Sequence, residues 1–152
     1  PPYEPLIEIV PDYEDLEIPA WEIVDKRNFN YPAEGRWARI DMVLYNFGKM
    51  PAQHIFCNPN TANTPFFAYL KPQDNFFNIA GGTSNRTELH IGSRNCVPGD
   101  IVSWCDKPEL VPTGKHNISL NCNCVGCKSQ PTFNSIISFC VFYNNKTKEC
   151  PS

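Results

Sequence analysis

Cys122, Cys124 and Cys127 fall within six residues of one another and come nearest, by type and spacing, to a site with chemistry. As thiolates they would suit zinc or copper(I), because soft sulfur prefers those ions. A fourth ligand would have to come from His116 or Cys140. Cys124-Val-Gly-Cys127 also has the spacing of a redox dithiol. Such pairs usually sit at a helix N-terminus that lowers the thiol pKa, and no helical pattern surrounds this one. No His follows Cys127, which removes c-type haem attachment by that motif.

The competing reading makes these residues disulfide halves. The chain has eight cysteines, Cys57, Cys96, Cys105, Cys122, Cys124, Cys127, Cys140 and Cys150. An even, dense set in a helix-poor chain points to a disulfide framework and an oxidising compartment. Spacing suggests Cys96 with Cys105, Cys140 with Cys150, and Cys57 with one of the Cys122–Cys127 group, although eight cysteines allow 105 pairings. Three sequons, at Asn85, Asn117 and Asn145, point the same way, toward a secreted or surface glycoprotein. The other chemistry-bearing side chains are scattered. His54, His90 and His116 stand alone, and no Gly-x-Ser-x-Gly, His-x-x-x-His or phosphate loop is present. The expectation is a non-enzymatic protein with no cofactor beyond N-linked glycans.

The residues that must position these groups read as strands. At 152 residues the chain suits one domain. Fifteen Pro and eight Gly favour turns over helices. Ile40, Met42 and Leu44 alternate with Arg39, Asp41 and Val43, the pattern of a half-buried strand. Ala52 to Cys57, the aromatic run Phe66 to Leu70, residues 76–80, Glu88 to Ile91 and Asp100 to Cys105 follow, with residues 81–86 read as a loop. The stretch Lys115 to Tyr143 closes the chain as a hairpin. Ile118, Leu120, Cys122 and Cys124 share one face of its first strand, and Phe133, Ile137, Phe139, Val141 and Tyr143 share one face of its second. Seven or more short strands without a credible helix predict an all-β, Ig-like β-sandwich stapled by disulfides. Among the aromatics, Phe66, Phe67, Tyr69, Phe76 and Phe77 are expected mostly in the core, with a ligand or glycan platform on the exposed half as the alternative.

Residues 1–35 read as an extended acidic arm and residues 36–152 as the sandwich. The arm carries nine acids against Lys26 and Arg27, a net charge of −7 in a chain of net −3. An acidic arm beside a mildly basic body invites docking of one on the other, within a chain or between chains. Its apolar residues, Leu6, Ile7, Ile9, Val10, Leu16, Ile18, Trp21 and Ile23, are too many for a solvated tail. Nothing is basic enough to suggest nucleic acid. No apolar run reaches the length of a membrane span. Pro1-Pro2-Tyr3 is a poor initiator sequence and reads as the start of a processed chain, with any anchor outside it.

Ile40 to Ile55, with Asn46, Gly48 and Ala52 at the turn, resembles the CARDB-like immunoglobulin-fold modules of prokaryotic surface proteins. Pro98-Gly99-Asp100-Ile101-Val102 and Thr113-Gly114-Lys115-His116-Asn117-Ile118 are further echoes. The resemblance implies a binding or structural spacer rather than catalysis, with Asn46 and Gly48 serving the turn, Gly48 through tolerance of positive φ. The layout is also similar to subunits of archaeal threads and chaperone–usher pili, in which an N-terminal segment completes a neighbour's sheet. The leading expectation is therefore a cell-surface filament or array subunit that assembles head-to-tail with other copies of itself through residues 1–24. A monomeric adhesin or ligand-binding module, with the arm folded back, is the alternative. A secreted metal-binding protein using Cys122, Cys124 and Cys127 is the third.

Overall fold

The structure is a computed structural model, and it describes residues 3–11, 16–23, 38–71, 77–94, 107–128, 131–143 and Cys150. Among the described residues nine strands form: β1 (Ile7–Pro11), β2 (Glu17–Pro19), β3 (Ala38–Asn46), β4 (Ala52–Asn60), β5 (Phe66–Lys71), β6 (Phe77–Ile79), β7 (Ser84–Ser93), β8 (Gly114–Val125) and β9 (Thr132–Phe142). They form two sheets, ordered β1-β3-β7-β5 and β2-β9-β8-β4-β6. This is the expected all-β sandwich.

The core follows the period-2 pattern. Ile40, Met42 and Leu44 of β3 point inward with Leu89 and Ile91 of β7. Ile118, Leu120, Cys122 and Cys124 of β8 and Ile137, Phe139 and Val141 of β9 face them from the second sheet. Each large side chain fully removed from water contributes about 1.5–3 kcal/mol, so this alternation fixes which face of each strand turns in. A one-residue slip would expose every one of these side chains.

Three local expectations need correction. Residues 84–86 belong to β7, so the Asn85 sequon lies on a strand and not in the expected loop. A short helix, α1 (Ala20–Ile23), follows Pro19, where no helix was expected. Ala20 and Ile23, three apart, bury one face while Trp21 stays 63% exposed. Gly48 serves the turn, but not through positive φ. A Cβ there would lie 1.9 Å from the Glu4 carbonyl oxygen, so the position requires a close approach of two backbones.

The arm's described residues lie in the sandwich itself. β1 pairs antiparallel with β3, Ile9 opposite Leu44. β2 pairs parallel with β9, Ile18 opposite Val141. Ile7, Ile9, Ile18 and Ile23 are buried, Val10 and Leu16 are half-buried, and Leu6 and Trp21 are exposed. Six of these eight apolar side chains are thus fully or partly buried within the chain, and Leu6 and Trp21 are left on its surface.

Asn46, at the end of β3, holds this junction together. Its carboxamide NH2 donates to the carbonyls of Met50 (2.8 Å) and Ile79 (3.1 Å). Its carbonyl accepts from the amides of Gly48 (2.9 Å) and Leu6 (3.2 Å). Phe47 N–H donates to the Leu6 carbonyl and Met50 N–H to the Tyr3 carbonyl, so residues 3–6 are laced to the β3–β4 turn.

Candidate functional site

The cysteine cluster is the first candidate, and its described members are all bridged. Cys57 pairs with Cys122, tying β4 to β8 at directly opposed positions. Cys124 pairs with Cys127 at the tip of the β8–β9 hairpin, where Gly126 supplies a φ of 90°. Cys140 pairs with Cys150. No thiolate of Cys122, Cys124 or Cys127 is left for a metal, which overturns the three-cysteine metal reading. His116, the proposed fourth ligand, instead packs edge-on against Phe66 at 4.8 Å, and its Nε2–H donates to the Pro112 carbonyl at 3.0 Å. Cys96 and Cys105 lie outside the described residues. Three disulfides fit an oxidising compartment.

The sheet brings together a second group on the outer face of β3, β7 and β5. The register sets Arg39, His90 and Tyr69 side by side in one row and Asp41, Glu88 and Lys71 in the next. Arg39 Nε lies 3.2 Å from the Asp41 carboxylate, and one of its terminal nitrogens lies 3.4 Å from Glu88. His90 Nε2 donates to the other Glu88 oxygen at 3.0 Å. With that tautomer, Nδ1 accepts from the Tyr69 hydroxyl at 3.3 Å, and the two rings stack with centroids 4.9 Å apart. The chain Tyr69–His90–Glu88–Arg39–Asp41 thus crosses three strands. The Arg94 guanidinium, one residue past the end of β7, sits 4.7 Å from the centroid of the Phe67 ring on β5.

The environment fixes the charges. The His90 hydrogen bond, with Arg39 nearby, holds the Glu88 carboxyl below its ordinary value despite partial burial. Burial, then the Glu88 charge, pushes the Tyr69 phenol up, so it stays a neutral hydrogen-bond donor. A phenol pushed upward is a poor nucleophile or base near neutral pH. Beside this chain lies a shallow cleft of about 320 Å³ lined by Arg39, Asp41, Lys71, Arg86, Thr87 and Glu88. Three cations and two carboxylates surround it. The arrangement is suited to holding a polar ligand.

His90 was read from sequence as isolated. Its place two residues from Glu88 on one strand face was visible in the period-2 pattern, but Tyr69, Arg39 and Lys71 reach it only through strand register. Of the aromatic run, Phe66 is fully buried while Phe67 and Tyr69 are half-buried on the outer face. Phe76 lies outside the described residues. The sequon residues Asn85 and Asn117 are both exposed, and the Ser138 hydroxyl donates to the Asn117 side-chain oxygen at 2.6 Å. Asn145 lies outside the described residues. The outer face of the second sheet is different in character. Asn58, Asn121 and Asn134 line up in one uncharged row across β4, β8 and β9.

No family model matches the chain, and no curated protein matches it. Among solved structures it is similar to the YadV chaperone, at 15% identity and a TM-score of 0.48, over 91% of this chain and 52% of that one. It is also similar to the CupB2 chaperone of Pseudomonas aeruginosa, at 10% identity and a TM-score of 0.46, over 91% and 57%. The cupredoxin domain of amoB from Nitrosocaldus yellowstonii matches at 17% identity and a TM-score of 0.45, over 98% and 92%. The chain spans about half the length of the two chaperones. The likeness is one of general sandwich layout.

Proposed function

We propose that this chain is a non-catalytic extracellular binding module, a disulfide-stapled sandwich completed by its own N-terminal arm. The observation that carries the reading is the pairing of β1 with β3 and of β2 with β9 within one chain. An arm already paired at both sheets has no need of a neighbour, which favours a monomer. Its ligand surface is the outer face of β3, β7 and β5, where an ordered charge network borders a cleft. Ordered, mutually hydrogen-bonded side chains lose little further freedom on binding, which favours recognition over chemistry.

Light scattering of the purified chain checks the monomer. A glycan and peptide screen against the wild type and an Arg39→Ala/Tyr69→Ala variant checks the surface. The variant is expected to lose the ligand while keeping the wild-type fold. A ligand held equally by both would move the site elsewhere.

The filament-subunit reading remains a second proposal. β1 is held to β3 largely by main-chain pairing, which the same segment of a neighbour could supply. It predicts concentration-dependent polymers that vanish when residues 1–24 are deleted.

A further inference from the structure

The outer face of the second sheet is uncharged over three successive rows. Beside the row of Asn58, Asn121 and Asn134 runs that of Asn60, Ser119 and Ile136, and beside that stand Asn117 and Ser138. The alternation of β8 sets this face, because the intervening Ile118 and Leu120 are fully buried. Ile136 is 64% exposed, the one large apolar side chain left exposed in those rows. Asn117 is the acceptor of the sequon Asn117-Ile118-Ser119. The Ser138 hydroxyl donates to its side-chain oxygen at 2.6 Å, and among the described residues nothing accepts from its Nδ2. Substitution at that nitrogen therefore breaks none of these hydrogen bonds. Ile136 lies diagonally across the β8–β9 pair from Asn117, about 7–8 Å away at the backbone, within reach of a sugar ring on Nδ2.

We infer that Asn117 carries an N-linked glycan whose first sugar lies down on this face, its apolar ring face over Ile136 and its hydroxyls toward Ser119 and Asn121. In the transfer, Asn117 Nδ2 bonds to the anomeric carbon of a lipid-linked oligosaccharide. The bond from that carbon to the donor's pyrophosphate oxygen breaks, the lipid pyrophosphate leaves with the electron pair, and the amide gives up one proton. Folding of β8 then leaves the sugar outside, because Asn117 is exposed. The carboxamides and hydroxyls of the face both donate and accept, as neutral sugar hydroxyls do. Ile136 supplies apolar surface for the ring C–H groups to cover. Asn85, the other sequon residue among the described residues, has a different setting: its register partner Leu44 is 1% exposed and offers no such surface. The inference rests on the extracellular part of the proposed function alone. It closes the outer face of the second sheet to partners and leaves that of the first sheet for a ligand.

The test secretes the full chain from a mammalian cell line as an Asn85→Gln/Asn145→Gln variant, which leaves Asn117 as its single sequon. Intact-mass spectrometry should show one glycan, which an endoglycosidase trims to a single N-acetylglucosamine. That sugar should give NOEs to the Ile136 methyl groups and raise Tm by about 2–4 °C over the chain with Asn117→Gln added. Ile136→Ser should leave the site occupied but remove most of that gain, read as the difference between glycosylated and unglycosylated chains in each background. An empty Asn117 in a secreted chain with no free thiols overturns the inference while the extracellular reading stands. A chain retained in the cell with free thiols overturns both. An occupied site without the Ile136 NOEs, or with the same Tm gain in the Ile136→Ser background, overturns the placement of the sugar on this face.

Discussion

Replacing Asn46 by Ala should unfasten the arm. The side chain is 2% exposed and makes four hydrogen bonds, to Leu6, Gly48, Met50 and Ile79. The bonds to Gly48 and Ile79 are buried, so their partners lose a mate without gaining water, at about 1–2 kcal/mol each. Those to Leu6 and Met50 are partly exposed, and water recovers most of the loss, leaving about 0.5 kcal/mol each. The sum is about 3–5 kcal/mol, a large share of the roughly 5–15 kcal/mol that holds a domain together. For a chain of this size that lowers Tm by about 10 °C.

Urea and thermal unfolding followed by circular dichroism measure the total. Hydrogen exchange locates it: the Leu6 and Phe47 amides should lose protection more than those of β8. An Asn46→Asp variant separates the two halves of the carboxamide. It keeps the acceptor for Leu6 and Gly48 but sets a carboxylate against two carbonyls, so it should be at least as destabilised as the Ala variant. A cost below about 1 kcal/mol for Ala, or loss of protection spread evenly over both sheets, would refute the reasoning.

Other outcomes follow from the same geometry. Gly48→Ala drives a Cβ into the Glu4 carbonyl, so it should cost about 2 kcal/mol or more and expose the arm to limited proteolysis; an unchanged digestion pattern would count against it. Among the three bridges, removing Cys57–Cys122, with a sequence separation of 65, should destabilise most, by about 4 kcal/mol on the loop-entropy relation. Removing Cys124–Cys127, with a separation of 3, should cost less than half as much, about 1.6 kcal/mol, and denaturant midpoints of the Ser pairs rank them. Glu88 has its folded pKa held down, so its stabilising contribution is present above its ordinary value of 4.5 and is lost as pH falls through the lower folded value. Glu88→Gln should flatten that acid limb of the stability curve, and a Glu88 carboxyl that titrates at or above 4.5 by NMR would contradict the network.

The sheets were legible wherever one strand face is apolar. Ile40, Met42 and Leu44, or Ile118, Leu120, Cys122 and Cys124, carry their orientation in simple alternation, and two of the three suggested bridges involve cysteines that the structure pairs accordingly. Val43 shows the limit. It sits on the polar parity of β3 yet is buried, because Val10 lies opposite it on β1 and Arg86 on β7, and no local pattern announces such cover. His54 is another case. It takes a φ of 54° where the register of β4 shifts between Gln53 and Ile55, so the alternation expected there breaks at a bulge.

The candidate site was illegible for the same reason that the arm's destination was. Glu88 and His90 are neighbours on one strand, but Arg39, Lys71 and Tyr69 lie tens of residues away in sequence. Register, set by packing of the opposite face, puts them in rows. The arm likewise carried visible apolar content, but which sheet edges receive it depends on Asn46 and on the Gly48 approach. A strand given to a neighbour and a strand folded back have the same sequence pattern.

The most direct test is an isotope-filtered NOE experiment on an equal mixture of 13C-labelled and unlabelled chains. Ile9 and Leu44 are register partners across β1 and β3. A self-completed module gives their contact only within labelled chains, with no labelled-to-unlabelled cross-peak. An intermolecular Ile9–Leu44 cross-peak would show that the arm belongs to a neighbour, and the account of a self-contained binding module would be wrong.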